Sequence, residues 1–178
     1  DQALQLFGKP QKVFADIRIV RPISKVDDYF DLLLYYQSMR VRIKSSYQVR
    51  EPLPGYIIHG SEGSFIKSKT NIQEVMLQAG EKPDAENWGV EPDSEKGLLH
   101  TEKNARLTDG VRQREIVREY IESEKGNYAE YYDCIYNAIR NNKPVPVTAE
   151  DGLNVIKIIE AAIKSSKEEK VIKMKWEV

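Results

Sequence analysis

Two histidines are the side chains of this 178-residue chain best suited to move a proton or bind a metal ion. His59 and His100 lie far apart in the sequence, and neither has a second ligand at the spacing that metal sites show. His59 alternates with Ile58, which favours a hydrogen-bonded structural histidine in a strand. His100 ends an irregular stretch of the kind that often carries functional groups, so we predict a substrate contact there. No metal site is predicted.

A glycine-rich turn from Gly60 to Gly63 could be mistaken for a phosphate-binding loop. It lacks the Lys-Ser/Thr ending of such loops, and no long helix follows it directly. A turn between two short strands is the better interpretation. Since no strand is followed by the G-x-G-x-x-G pattern of dinucleotide sites, we predict no cofactor-binding residue in this chain.

Trp88 is the one large aromatic residue within a long polar segment. Such a tryptophan either anchors its segment onto the domain, which is the commoner use, or offers its ring face to a sugar. Both alternatives stay open from the sequence, and we include Trp88 among the predicted substrate contacts.

A stripe of basic side chains marks the segment from Arg40 to Arg50. Arg40, Arg42 and Lys44 alternate with apolar residues, which is the period of a strand with one charged face. The simplest interpretation is a solvated sheet face. Because the free face of a sheet with helices on its other side needs cover or charge, we predict a subunit interface at these three residues. An anionic ligand is the alternative.

Composition excludes several classes of protein. The formal net charge of -1 lacks the basic excess of nucleic-acid binders. No apolar run approaches the ~20 residues of a membrane span. The single Cys134 excludes an internal disulfide.

The chain starts in mid-helix without a methionine, which indicates a piece of a longer protein. We expect a cytoplasmic location. Export is the alternative, because a targeting signal would precede Asp1.

The elements that position these residues are predicted from periodicity. Strands are expected over Lys12–Val20, Tyr29–Tyr36, Arg40–Arg50, Tyr56–His59, Ser64–Ile66, Arg114–Ile121 and Val171–Trp176. A short helix is expected over Asn71–Gly80, and Glu81–Gly110 is expected to be an irregular loop. Strands followed by helices predict one α+β domain over residues 1–178, with a largely antiparallel, open-faced sheet and helices packed on one face.

Two capped helices near the end are the firmest of these predictions. Asn127 with Glu130 and Thr148 with Asp151 have the spacing of capping boxes. Each helix has an apolar stripe, and the stripes comprise Tyr128, Tyr132, Ile135 and Ile139 in the first and Val155, Ile158, Ile159, Ala162 and Ile163 in the second.

Three segments, in this order, resemble the C-terminal domain of the Gfo/Idh/MocA family of glucose–fructose oxidoreductases and inositol dehydrogenases. They are the opening Asp1–Pro10, the turn His59–Phe65 and the ending Tyr128–Met174 with its Pro-Val-Pro-Val joint. The resemblance implies a substrate-binding and oligomerisation domain of an NAD(P)-dependent enzyme acting on a sugar, a polyol or a related hydroxyl compound. NAD or NADP would bind to an N-terminal Rossmann domain that lies outside this chain.

The resemblance also implies that this chain carries no catalytic residue. Asp1 resembles the last aspartate of a family motif whose histidine would lie three residues upstream, and the family's lysine belongs to the Rossmann domain. Glu81-Lys82-Pro83 matches the lysine motif only by coincidence. Asp1, Trp88 and His100 become the predicted substrate contacts, and a homo-oligomer is expected through the open sheet face. The alternatives are a non-catalytic assembly module and a carbohydrate-binding domain of the same fold.

Overall fold

The computed structural model describes residues 1–51, 53–68, 71–83, 86–103, 107–108, 111–112 and 115–176. The helices are α1 (Gln2–Phe7), α2 (Ile72–Gln78), α3 (Tyr128–Asn141) and α4 (Ala149–Glu168). The strands are β1 (Lys12–Arg18), β2 (Tyr29–Tyr35), β3 (Arg40–Ser46), β4 (Tyr56–His59), β5 (Gly63–Lys67), β6 (Gly97–Lys103), β7 (Leu107–Thr108), β8 (Val111–Arg112), β9 (Glu115–Ile121) and β10 (Ile172–Lys173).

The predicted α+β class is confirmed, with antiparallel pairing throughout the described strands and sheets that do not close. The strands form two four-stranded sheets, ordered β10-β1-β2-β3 and β4-β5-β6-β9, and a small β7-β8 pair. The residues group into two compact units, and the assignment of residues 1–178 to one domain stays a prediction. The first comprises Asp1–Arg50 with Val147–Val178, and the second is Glu51–Pro146.

In the first unit, α4 packs on one face of the sheet. Val13, Ala15 and Leu34 point from the strands into a core that Ile158 and Ala162 complete from the helix. The alanines and Ser165 of α4 are small, so the helix can lie close to β1. The predicted apolar stripe of α4 is therefore wrong for Ile159 and Ile163, which are exposed at the side of the helix.

Two serines of α4 complete the outer edge of β1. The strand pairs with β10 only at Lys12 and Val13. Beyond these residues, the backbone amides of Ala15 and Ile17 donate to the hydroxyl oxygens of Ser165 and Ser166, at 3.0 and 2.9 Å. Side-chain hydroxyls thus satisfy donors that a longer neighbouring strand would otherwise have to satisfy.

In the second unit, β6 corrects the sequence-based prediction of an irregular loop over Glu81–Gly110. Residues 97–103 pair with β9 and residues 98–101 also pair with β5, so β6 lies inside the sheet rather than in a loop. Gly97 is required there, because a Cβ atom would lie 2.3 Å from the ring of Phe65. The strand carries His100 and Glu102 on one face, and this polar content hid it in the sequence.

Of the two predicted capping boxes, the one at Thr148 forms and the one at Asn127 does not. Thr148 and Asp151 form the predicted reciprocal capping box at the start of α4. At the start of α3, the Asn127 side chain accepts from the amide of Ala129, at 3.0 Å, rather than from that of Glu130. Asn127 is therefore the predicted N-cap, but it bonds one residue earlier than a capping box requires.

Candidate functional site

Asp1 lies immediately before α1 and leaves its carboxyl group exposed. Its backbone carbonyl accepts from the amides of Leu4 and Gln5, at 2.8 and 3.1 Å, while its side chain makes no capping hydrogen bond. The carboxylate is therefore accessible to a ligand hydroxyl, and its role as a substrate contact stays a prediction.

Trp88 is buried within the second unit. Its side chain is 3 % exposed, and its indole N–H donates to the side-chain oxygen of Gln73, 3.1 Å away. The same oxygen accepts from the backbone amide of Tyr128 at 2.9 Å. One buried amide group thus joins α2, the segment around Trp88 and the start of α3. This geometry supports the anchoring interpretation, and a sugar contact by Trp88 stays a prediction.

Two glycines allow the backbone to close around Gln73. Gly89 has a φ of +70°, and a Cβ atom there would lie 2.9 Å from the carbonyl oxygen of Gly126. A Cβ atom on Gly126 would lie 2.4 Å from the Gln73 amide nitrogen. Gln73 joins these segments, yet nothing in the sequence singles it out, because one glutamine in a short helix carries no distinguishing pattern.

A nearly buried ion pair holds the segment that follows Trp88. The Lys67 ammonium contacts a carboxylate oxygen of Glu91 and donates to the carbonyl of Glu95, both at 2.6 Å. The second Glu91 oxygen accepts from the amide of Ser123, also at 2.6 Å. Burial, the largest single influence, raises the pKa of Glu91, but the hydrogen bonds from Lys67 and Ser123 outweigh it and hold the pKa below its ordinary value.

The two histidines lie in one row across the second sheet. His59 is opposite Ser64, Ser64 is opposite His100, and His100 is opposite Arg118. An imidazole nitrogen of His59 lies 2.8 Å from the Ser64 hydroxyl, so His59 is hydrogen-bonded as predicted. No pattern in the sequence links the two histidines. Only the pairing of β4, β5, β6 and β9 places them on one face of the sheet.

This row can bind oxygen atoms of a ligand. Its imidazoles, hydroxyl and guanidinium all supply hydrogen-bond donors, and His59, His100 and Arg118 are exposed. The adjacent row on the same face is mainly apolar and consists of Ile57, Ile66, Leu98 and Tyr120. Such a polar row beside apolar side chains suits a polyhydroxylated molecule with C–H patches. Across the described ranges, no group of three or more His, Cys, Asp or Glu residues is arranged to hold a metal ion.

The basic stripe lies on the free face of the first sheet, with part of its charge already balanced. The Arg42 guanidinium makes two hydrogen bonds to the carboxylate of Asp31, and the Lys44 ammonium lies 3.9 Å from that carboxylate. The hydrogen bond from Arg42 holds the pKa of Asp31 below its ordinary value. Arg40 lies over the ring of Tyr35, at 4.6 Å. Mixed charge of this kind favours a protein partner over a strongly anionic ligand.

No helix in the part of the chain that the structure describes combines the length and the apolar character needed to cross a bilayer.

Comparison with known proteins gives consistent matches over almost the whole chain. Residues 1–174 match the oxidoreductase family, C-terminal alpha/beta domain. The scyllo-inositol 2-dehydrogenase (NADP(+)) IolW of Bacillus subtilis is 40% identical over 172 residues, which are 97% of this chain and 46% of that protein. The uncharacterized oxidoreductase YdgJ of Escherichia coli is 34% identical over 167 residues, 94% of this chain and 45% of that protein.

Solved structures of oxidoreductases match the chain over a similar extent. The structure of yvaA from Bacillus subtilis superposes with a TM-score of 0.87 at 38% identity, over 98% of this chain and 48% of that one. An oxidoreductase from Bacillus cereus gives a TM-score of 0.81 at 29% identity, over 99% of this chain and 49% of that one. The chain spans about half the length of the relatives it matches.

Proposed function

Because this chain belongs to the Gfo/Idh/MocA oxidoreductase family and matches its C-terminal domain, we propose that it is the substrate-binding and oligomerisation half of an NAD(P)-dependent enzyme. The substrate is a sugar, a polyol or a related hydroxyl compound. The other half is an N-terminal domain that binds the nicotinamide cofactor.

The observation that carries the proposal is the match to an NADP-linked scyllo-inositol dehydrogenase, which spans 97% of this chain and only 46% of that protein. A cyclic polyol presents many hydroxyls around a ring with C–H faces. The exposed row of His59, Ser64, His100 and Arg118, with apolar side chains beside it, has matching chemistry.

The described residues do not fit a dinucleotide. The only turn that superficially resembles a phosphate loop, Gly60–Gly63, joins β4 to β5 as a hairpin and does not lead a strand into a helix. When bound to the proposed N-terminal half, the nicotinamide supplies hydride chemistry. This chain orients the substrate, with His100 as a hydrogen-bonding group and Trp88 holding its own segment in place.

A non-catalytic assembly module of the same fold is the second candidate. The free face of the first sheet favours it, because the exposed Arg42 and Lys44 lie beside the partly buried carboxylate of Asp31, which balances part of their charge. The carbohydrate-binding alternative gains no support from Trp88, whose ring is buried.

An activity assay of the full-length protein tests the proposal. We expect reduction of NADP+ or NAD+ in the presence of a cyclic polyol or a sugar, and none with either reactant alone. A full-length protein that binds the nicotinamide but oxidises no sugar or polyol would contradict the proposed substrate class. One that assembles but binds no nicotinamide would favour the assembly module.

A further inference from the structure

Helix α3 exposes an apolar stripe that no described residue of its own unit covers. Tyr132, Tyr136 and Ile139 are 71%, 61% and 72% exposed. They stand at i, i+4 and i+7, so they share one face of the helix. The sequence places Tyr132 and Ile139 in a stripe with Tyr128 and Ile135 that is typical of an inward-facing surface. The structure leaves these two residues facing outward.

The helix packs on its own unit with a different side. Cys134, Ile135 and Ala138 are the half-buried apolar residues of α3, and no residue of the helix is fully buried. At 100° per residue, the centre of these three positions lies about 90° or more from that of the exposed stripe. The stripe is therefore a second apolar surface of α3.

Contacts within the second unit hold the start of α3 and one ring of the stripe in place. The amide of Tyr128 at the start of α3 donates to Gln73, and the hydroxyl of Tyr128 accepts from the side chain of Asn71. The ring of Tyr131 lies edge to face with that of Tyr132, at 5.6 Å between centroids. An ordered apolar surface costs less entropy to cover than a mobile one, so this stripe is prepared for a partner.

The size of the stripe decides between the possible partners. A buried aromatic side chain contributes roughly 150–250 Å², so the two tyrosines and Ile139 together offer on the order of 300–400 Å². A separate protein needs about 800 Å² on each side for a stable complex. The stripe is too small to hold an untethered second copy by itself, whereas a domain joined by a linker benefits from an effective concentration in the millimolar range.

We propose that the stripe Tyr132, Tyr136 and Ile139 is the surface on which the N-terminal nicotinamide-binding half of the full-length protein docks; this rests on the proposed function. That half is the natural occupant because the relatives are about twice as long as this chain and the matching family domain is C-terminal. Interfaces between domains of one chain are small and partly polar. Tyrosines suit such a contact, since their rings are apolar and their hydroxyls can stay in water.

Hydroxyl-radical footprinting of Tyr132 in the full-length protein and in the 178-residue chain is the first test. We expect modification to be at least about five-fold slower in the full-length protein, because docking covers the ring. Equal reactivity in the two proteins would overturn the inference. Protection that disappears on dilution through a monomer–oligomer transition would assign the stripe to a second copy and would also overturn it.

Tyr136→Lys in the full-length protein is the second test, with Asn141→Lys as the matched control on the polar side of α3. The stripe variant is expected to restore Tyr132 reactivity to its value in the chain alone and to increase the radius of gyration in small-angle scattering. The control should change neither quantity, and an undisturbed Tyr136→Lys variant would overturn the inference. If circular dichroism shows that the Tyr136→Lys variant is unfolded, the Ile139→Asn variant is used in its place. The comparison of Tyr132 reactivity between the wild-type full-length protein and the 178-residue chain needs no variant.

Titration of the same full-length protein with NADP+ and NAD+ separates this inference from the proposed function. Cofactor binding together with an exposed Tyr132 would refute the docking surface alone. Failure to bind either nicotinamide would refute the proposed function, whatever the reactivity of Tyr132.

Discussion

The indole N–H of Trp88 donates to the side-chain oxygen of Gln73, and the amide of Tyr128 donates to that same oxygen. One glutamine side chain therefore holds three segments that are far apart in the sequence. Because Gln73 and Trp88 are buried, loss of this oxygen would leave the buried indole N–H without its acceptor and would also remove the acceptor of the partly buried Tyr128 amide.

Gln73→Met should destabilise the second unit markedly. Methionine keeps a similar volume but has no carbonyl oxygen, and one unsatisfied buried donor, the Trp88 indole N–H, costs about 1–3 kcal/mol. We expect a loss of roughly 1–3 kcal/mol in the free energy of unfolding, measured with urea and followed by tryptophan fluorescence. Gln78→Met, on the exposed end of α2, is the matched control and should change stability by less than about 0.5 kcal/mol. Equal effects of the two substitutions would contradict the anchoring role.

The elements that the sequence predicts correctly are those whose local pattern and burial agree. The strands Tyr56–His59 and Tyr29–Tyr35 and the Thr148 cap belong to this group. Each has a side-chain period or a capping spacing that is set by residues close together in the chain. Tertiary pairing does not have to be known for such elements.

The features that could not be predicted from the sequence depend on contacts between residues that are distant in the chain. Strand β6 is defined by its pairing with β5 and β9, and its polar face hides the alternation. The row that joins His59 to His100 exists only because of that pairing. Gln73 has no local signature at all, since its role depends on Trp88 and Tyr128. These features of the candidate site could be found only from the structure.

Acid should weaken the second unit through Glu91. Its pKa is lower in the folded protein than the ordinary value of 4.5, so the ionised carboxylate stabilises the fold. This stabilisation is complete above the ordinary pKa and is lost as the pH falls through the folded-state pKa. Glu91→Gln should therefore be less stable than the wild type near neutral pH and lose less stability on acidification.

Urea unfolding between about pH 7 and pH 3 measures this dependence, with the exposed Glu124→Gln as control. The control should follow the wild-type pH dependence. A wild type and a Glu91→Gln variant with parallel pH profiles would show that the Lys67–Glu91 pair does not produce the effect.

Arg42→Glu should weaken self-association of the chain. The substitution places a second carboxylate beside Asp31, where Arg42 now makes two hydrogen bonds, and it reverses the charge in the centre of the predicted interface. We expect the dissociation constant from light scattering to rise at least about ten-fold, which corresponds to ~1.4 kcal/mol. Lys25→Glu makes the same charge change in a turn and should leave association intact. A strictly monomeric wild-type chain at high concentration would refute the interface.

Under the proposed function, His100→Ala in the full-length protein should raise KM more than it lowers kcat. Loss of one hydrogen bond to a substrate hydroxyl costs about 1–1.5 kcal/mol, which is roughly a ten-fold increase in KM. Glu119→Ala is the control, because Glu119 is exposed on the opposite face of the same sheet. Steady-state kinetics with a polyol substrate measures both variants. Equal effects of the two would indicate that His100 makes no specific contact with the substrate.

Calorimetric titration of NADP+ and NAD+ into the full-length protein and into the 178-residue chain shows whether the nicotinamide binds outside these residues. We expect micromolar binding of at least one nicotinamide by the full-length protein and no measurable heat with the chain alone. Tight binding of either nicotinamide by these 178 residues would contradict it.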